Sequence, residues 1–255
     1  MSRYNAMELM ICMAARLLEE GATVAVGTGA PCAAAMLAQK THAPNLVVAF
    51  EGGGLAPVLP QMPISVGDSR TFHHALMASS MGEIMEMCQR GLVDYTFLGG
   101  AQVDAYGNLN STVIGDFQHP RVRLPGSGGA CDLASFCWRT LILMPNDRRR
   151  FVSQLDFLTT PGYLSGPGSR EAAGLLAGCG PYRVITNMAV MSFHEQTKHM
   201  QVESVHPGVS LDQVQENTGF EIEAVPGVKQ TTPPDTEELR ILREEIDPLH
   251  YIIGR

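Results

Sequence analysis

The six cysteines of this 255-residue sequence form no C-x-x-C pair and share no repeated spacing, so neither a metal site nor a small disulfide framework is written into it. Cys12, Cys32, Cys88, Cys131, Cys137 and Cys179 are expected as reduced thiols, with no metal. Charge is sparse at 17%, and the 18 Lys and Arg are outnumbered by 26 Asp and Glu, leaving a formal net charge of −8. That balance argues against bulk attraction to nucleic acid or to an anionic membrane surface, since both need cationic side chains to displace counterions. No apolar run approaches the ~20 residues of a membrane span. The first twenty residues are apolar but broken by Glu8 and Arg16 and lack a small-residue cleavage site, so they read as an amphipathic helix rather than a signal peptide. Internal repeats, low-complexity tracts and long linkers are also missing. The expectation is a cytoplasmic protein, with residues 1–255 folded as a single domain.

What is present supports a full core. Hydrophobic residues make up 45% of the chain, and 26 glycines and 16 prolines suit many tight connections between short elements. Asn5 and Glu8 form a capping-box pattern ahead of Met7, Met10, Ile11, Ala14 and Leu18 at helical spacing, and Gly21 is expected to stop that helix. Met7, Met10 and Met13 read as packing. ATVAV is a buried strand, Gly27, Gly29 and Pro31 turn into a second helix, and residues 45–50 form a strand ending at Glu51. The pattern predicts a helix over 70–90, a strand over 93–100, a helix over 128–139 and a strand over 140–145. Further strands are expected near 151–158, 182–193 and 199–205. Ser210 with Gln213 and Asp235 with Glu238 read as caps of two late helices, the second running to Asp247. This alternation predicts an α/β fold with a largely parallel sheet flanked by helices.

In such sheets ligands bind beyond the carboxyl ends of the strands, and three segments fall there. Glu51 follows an apolar strand and precedes Gly52, Gly53 and Gly54, which remove bulk beside a carboxylate. A glutamate that caps a helix or pairs with an arginine is the plainer reading of the same residue. Gly126-Ser127-Gly128-Gly129-Ala130 leads into a predicted helix, where unpaired N–H groups can hold an oxyanion, although short glycine loops are also common as simple turns. Gly99-Gly100 followed by Asp104-Ala105-Tyr106-Gly107-Asn108 reads as a strand end and a structural turn. Gly27-Thr28-Gly29 lacks the third glycine of a dinucleotide fingerprint. His73-His74 read as surface or core histidines rather than a metal pair. Arg148-Arg149-Arg150 suit either a ligand phosphate or a solvated turn.

Taken together, TVAVGTGAP, FEGGG, SVGDSRTF, FLGGAQVDAYGNLNST, IGDFQHP, PGSGGACDLAS, NTGFEIE and LREEIDP occur in one order over nearly the whole chain. That series resembles the β-subunit of class I CoA-transferases, most closely the glutaconate CoA-transferase type. The resemblance implies the fold of CoA-transferases and NagB/RpiA-like proteins. It implies Glu51 as nucleophile, carrying a glutamyl-CoA thioester, where the family has an E-S-G or E-N-G context and this chain has E-G-G. It assigns Gly52, Gly53, Gly126, Gly128, Gly129 and Ala130 to the oxyanion and CoA site. It further implies an α-subunit partner, acyl-CoA and carboxylate substrates, and CoA as a substrate rather than a permanently bound cofactor. A ring-opening acyl-CoA hydrolase or a decarboxylase, with Glu51 as general base, is the alternative within the same fold. A non-catalytic binding module is the alternative outside it.

Overall fold

The computed structural model describes residues 4–254. They form two compact units, residues 4–97 with 233–254 and residues 98–232.

In the first unit, helix α1 (Ala6–Arg16) starts as the sequence predicts: the Asn5 side chain accepts the Glu8 N–H at 2.9 Å and Glu8 accepts the Asn5 N–H at 2.8 Å. It ends at Arg16, with Leu17 as its cap. Gly21, at φ 74°, shapes the turn beyond it instead of stopping the helix. Strand β1 (Thr23–Val26) leads through Gly29 into α2 (Ala30–Lys40), with Pro31 in its first turn where a missing N–H costs nothing. Strand β2 (Val47–Phe50) pairs parallel with β1, setting Val26 opposite Phe50. Strands β3 (Gly54–Leu55) and β4 (Met77–Ala78) add antiparallel beyond β2, helix α3 (Met81–Gln89) follows, and β5 (Tyr95–Leu98) pairs parallel with β1 on its other side. Val24, Val48, Phe50, Ile84 and Tyr95 are fully buried here, as are most of the inward residues of α1 and α2.

The predicted helix over 70–90 is not one element. Asp68 caps a short 3-10 turn at Ser69–Phe72, His74 takes φ 48°, and the chain then extends as β4. Only at Ser80 does α3 begin, through a capping box with Glu83. Two caps inside twenty residues restart the chain and outweigh the helical spacing of the apolar positions. His73 and His74 therefore lie off any α-helix, edge to face at 4.3 Å between ring centroids.

The second unit opens with two small hairpins that the sequence reading missed, β6 (Gln102–Val103) with β7 (Leu109–Asn110) and β8 (Val113–Gly115) with β9 (Pro120–Arg123). Helix α4 (Ala130–Phe136) is shorter than the predicted 128–139, because Arg139 already opens β10 (Arg139–Leu143). No strand spans 151–158. Phe151 makes a single bridge to Val103, and beyond it the Asp156 carboxylate accepts the Gln102 side-chain amide and the Gly115 backbone N–H at 3.0 Å each. After α5 (Ser169–Ala172), the stretch predicted as one strand over 182–193 is a hairpin, β11 (Gly180–Ile185) and β12 (Ala189–Phe193), turned at Thr186, whose hydroxyl accepts the Ala189 N–H at 2.9 Å. β13 (Met200–Val205) follows, then α6 (Leu211–Glu216) with the expected Ser210–Gln213 box, and β14 (Glu223–Gln230), also missed. The order in this unit is β14-β13-β12-β11-β10, with the β10–β11 and β13–β14 pairs parallel. Its core gathers Val103, Leu109, Ile142, Phe151, Val184, Met191 and Val202.

The last helix, Thr236–Arg240, belongs to the first unit. It is capped by Asp235 with Glu238 as predicted and widens into a π turn over Ile241–Ile246 before Asp247. The α/β architecture with parallel strands and covering helices is as the sequence indicates.

Candidate active site

Glu51 stands at the carboxyl end of β2, on a turn closed by the Gly53 N–H donating to the Phe50 carbonyl at 2.9 Å. Because β1 and β2 run parallel and in register, the Gly27-Thr28-Gly29 loop leaves the neighbouring strand at the same level. Glu51 and Gly52 are half-buried, whereas Gly53 and Gly54 are buried. The glycine run is dictated by close approach. A Cβ on Gly54 would collide with the Thr71 carbonyl and one on Gly53 with the Ser79 carbonyl, and Gly53 also holds φ 115°. A Cβ on Gly52 would stand 3.1 Å from the Val66 carbonyl, tight but within reach of a small shift. The Gly53 carbonyl in turn accepts two bonds from Ser79, N–H at 2.9 Å and hydroxyl at 2.8 Å. Glu51 itself caps no helix and joins no ion pair among the described residues. The plainer reading of this carboxylate therefore lacks its partner.

In the second unit, Gly126 (φ 95°) and Gly128 (φ 51°) bend the loop ahead of α4. The Gly126 N–H donates to the Ser111 carbonyl at 2.9 Å, and the Gly126 carbonyl accepts the Ser111 hydroxyl at 2.8 Å, which anchors the loop. The first helical N–H groups are taken locally: Ala130 donates to the Ser127 carbonyl at 3.0 Å and Cys131 to the Ser127 hydroxyl at 3.2 Å. Asp132 stands in the first turn and already complements the helix dipole. The N–H groups of Gly128 and Gly129 make no such bond among the described residues and are open to an oxyanion, on a stretch that is exposed at Gly128 and half-buried at Gly129. Gly52 and Gly53 thus sit with Glu51 in one unit, while Gly126, Gly128, Gly129 and Ala130 sit together in the other.

The Asp104–Asn108 turn is structural hardware. Asp104 accepts the Tyr106 and Asn108 N–H groups at 2.9 and 3.0 Å, and the Asn108 amide oxygen accepts those of Gly162 and Leu164 at 2.7 and 3.0 Å. Burial pushes the Asp104 carboxyl above the usual carboxylate range, against the pull of its bonds to Asn108 and Tyr106. Arg149 pairs with Asp147 at 3.0 Å within its own turn, and Arg150 reaches the Gly100 carbonyl, fifty positions earlier, at 3.4 Å. No group of three His, Cys, Asp or Glu placed to hold a metal occurs among the described residues, and no helix there is long and apolar enough to cross a membrane.

The sequence reading missed the frame around Glu51. Asp68, Arg70, Thr71 and Ser79 lie 17 to 28 positions further along the chain, and SVGDSRTF was the one signal that marked most of them.

Residues 7–217 match the family model described as Coenzyme A transferase. The B-type subunit of the 3-oxoadipate CoA-transferase of Pseudomonas knackmussii is 41% identical over 244 residues, covering 95% of this chain and 94% of its own. The B-type subunit of the glutaconate CoA-transferase of Acidaminococcus fermentans is 36% identical over 255 residues, covering 97% and 94%. The crystal structure of glutaconate coenzyme A-transferase from Acidaminococcus fermentans superposes with a TM-score of 0.94 at 35% identity, covering 99% of this chain and 98% of that one. The decarboxylase AibA/AibB shares the fold with a TM-score of 0.85 at 26% identity, covering 99% and 100%.

Proposed function

This chain belongs to the coenzyme A transferase family, and from that premise we propose that Glu51 is the nucleophile of CoA transfer and carries a glutamyl-CoA thioester. The observation that carries the proposal is Glu51's placement: an unpaired, half-buried carboxylate at the end of a parallel strand, on a turn backed by Gly53 and Gly54, which admit no side chain.

The chemistry proceeds by exchange of acyl bonds. The Glu51 carboxylate attacks the thioester carbonyl and expels CoA thiolate, leaving an acyl-glutamyl anhydride. The thiolate returns to the glutamyl carbonyl, forming the glutamyl-CoA thioester and releasing the donor carboxylate. An acceptor carboxylate then attacks that thioester, and the same steps run in reverse. A carboxylate of pKa about 4.3 displacing a thiolate of pKa about 8.5 works against roughly four units, on the order of 5–6 kcal/mol. Preorganised oxyanion donors offset about 3–4 kcal/mol each, a role that suits the Gly128 and Gly129 N–H groups. Binding of the distant CoA nucleotide supplies more where it is realised only in the transition state. CoA enters and leaves as substrate, with no permanently bound cofactor in this scheme.

The chain acts as the B-type subunit beside an α-subunit, in keeping with its relatives. Exposed Val58, Ile64, Leu76, Met77 and Met81, all within thirty positions of Glu51, support a covered surface in this part of the chain. Cover there also keeps water from the anhydride. The family model runs through both compact units, which supports 1–255 as a single subunit domain. A cytoplasmic location completes the reading.

The test is trapping. The complex with its α-subunit is incubated with acyl-CoA, treated with borohydride or hydroxylamine, and digested for mass spectrometry. A modified Glu51 peptide is expected. Turnover with Glu51 unmodified would reassign the carboxylate as a general base, and thiol release without an acceptor would identify a hydrolase.

A further inference from the structure

Of the three carbonyls that close on the glycines after Glu51, those of Val66 and Thr71 come from one segment, and that segment has its own frame. Asp68 accepts the Arg70 guanidinium at two nitrogens, Nε at 3.0 Å and Nη2 at 2.6 Å. The same carboxylate accepts the backbone N–H of Ile64 at 3.1 Å and of Arg70 at 2.9 Å. The third guanidinium nitrogen, Nη1, donates to the Met62 carbonyl at 3.1 Å. Thr71 donates its N–H and its hydroxyl to the Asp68 carbonyl at 3.0 and 2.7 Å. Arg70 therefore ties Met62, before Val66, to Asp68, after it, and the chain between them is a closed bow laid on the glycine run. A single lysine ammonium cannot span those three acceptors in this planar arrangement.

We infer that Arg70 is a positioning residue for Glu51: by locking the bow from Met62 to Thr71 it fixes the Val66 and Thr71 carbonyls against Gly52 and Gly54, and so fixes the turn that presents the carboxylate. The inference rests on Glu51 as nucleophile. Its physical basis is that glycine is the freest backbone, while attack on a thioester needs reacting atoms held near about 3–3.5 Å. Three glycines in a row after a nucleophile leave it loosely aimed unless something outside the run constrains them. Here the constraint is two carbonyls held by one arginine.

The assembled complex is compared as wild type, Arg70→Ala, Arg70→Lys and Glu237→Ala, the last removing an exposed pair with Arg240 as a surface control. Arg70→Ala is expected to lower kcat and the rate of Glu51 trapping by about 10–100-fold, the loss that misplacement by an ångström brings, with KM for acyl-CoA nearly unchanged. Arg70→Lys recovers part of that rate, and Glu237→Ala behaves as wild type. Trapping is expressed per assembled complex and melting is followed in parallel, so a folding defect is separated from a positioning one. Equal trapping rates in wild type and Arg70→Ala, or a loss no larger than the loss of folded complex, overturns the inference alone. Turnover by wild type with no trapped Glu51 overturns the nucleophile and this inference together.

Discussion

The Thr71 carbonyl oxygen lies where a Cβ on Gly54 would stand. The two residues belong to separate segments, the 3-10 turn after Asp68 and the strand after Glu51; Thr71 is held by its two bonds to the Asp68 carbonyl and Gly54 by the pairing of β3 with β4. Gly54→Ala is therefore expected to destabilise by roughly 3 kcal/mol, the upper end of ordinary overpacking, or about 6–12 °C in Tm at this chain length. Melting of the purified complex checks it. A Tm within a degree of wild type would mean that the bow moves freely, contrary to the geometry.

Gly52 is a milder case, and it bears on the departure from E-S-G. Its Cβ position is 3.1 Å from the Val66 carbonyl, so a side chain fits after a shift of a few tenths of an ångström. Gly52→Ser is expected to fold, to cost less than about 1.5 kcal/mol, and still to trap at Glu51 with a kcat lowered several-fold. Steady-state kinetics with melting separates the two effects. Unfolded or aggregated Gly52→Ser would show that this chain has closed the bow beyond what a serine tolerates.

Much of this was legible beforehand, for reasons that particular residues make plain. Strands β1 and β2 were readable because three consecutive buried apolar residues end at a glycine or at Glu51, and the caps at Asn5, Ser210 and Asp235 because each carries its partner three residues on. The reading failed where tertiary bonds override periodicity. Met77–Ala78 is extended because it pairs with Gly54–Leu55, a fact invisible in residues 70–90 themselves. Residues 153–158 are a loop because Asp156 finds Gln102 and Gly115. The site divided likewise: Glu51 and its glycines stood out in one window, whereas the carbonyls that require those glycines come from residues that only the fold brings near.

Glu8 and Arg243 join the start of α1 to the C-terminal π turn, Nε and Nη2 of the arginine donating at 2.5 and 2.9 Å to a carboxylate that is 2% exposed. Burial pushes the Glu8 pKa up, but the bond from Arg243, the Asn5 N–H and the nearby positive charge outweigh it, leaving the carboxyl below its ordinary value. A folded pKa below the unfolded one gives stability that is present above the unfolded value near 4.5 and is lost as pH falls through the folded one. Glu8→Gln is expected to cost on the order of 3 kcal/mol at pH 7, since it strands a partly buried guanidinium, and to flatten the decline in Tm below pH 4.5. Parallel melting curves of wild type and variant across that range would contradict it.

Leu76 is 82% exposed beside β4, and Met77 and Met81 after it are 40% and 54% exposed, apolar exposure of the kind that marks an interaction surface when it is contiguous. If the α-subunit covers this part of the chain, Leu76→Asp weakens association by about tenfold or more, equivalent to roughly 1.4 kcal/mol, without lowering the melting temperature of the chain alone. Co-purification at falling concentration measures it. Undiminished assembly would place the interface elsewhere.

Cys131 offers a direct view of the second half of the proposed site. It is the one exposed cysteine of the six, and it follows Gly128-Gly129-Ala130 at the first turn of α4. Burial raises the Cys12 and Cys32 thiols to about 12, so neither competes for an alkylating reagent at neutral pH. Iodoacetamide should therefore modify Cys131 first. If the Gly128 and Gly129 N–H groups receive the thioester oxygen, bound acyl-CoA shields the thiol next to them. At ten times the dissociation constant the alkylation rate should fall roughly tenfold, because only the unliganded fraction reacts. Peptide mass spectrometry against time, with and without acyl-CoA, gives that ratio. A Cys131 rate indifferent to saturating acyl-CoA, in a complex that still traps Glu51, would remove the glycine loop from the thioester and leave the oxyanion donors to be sought on the partner subunit.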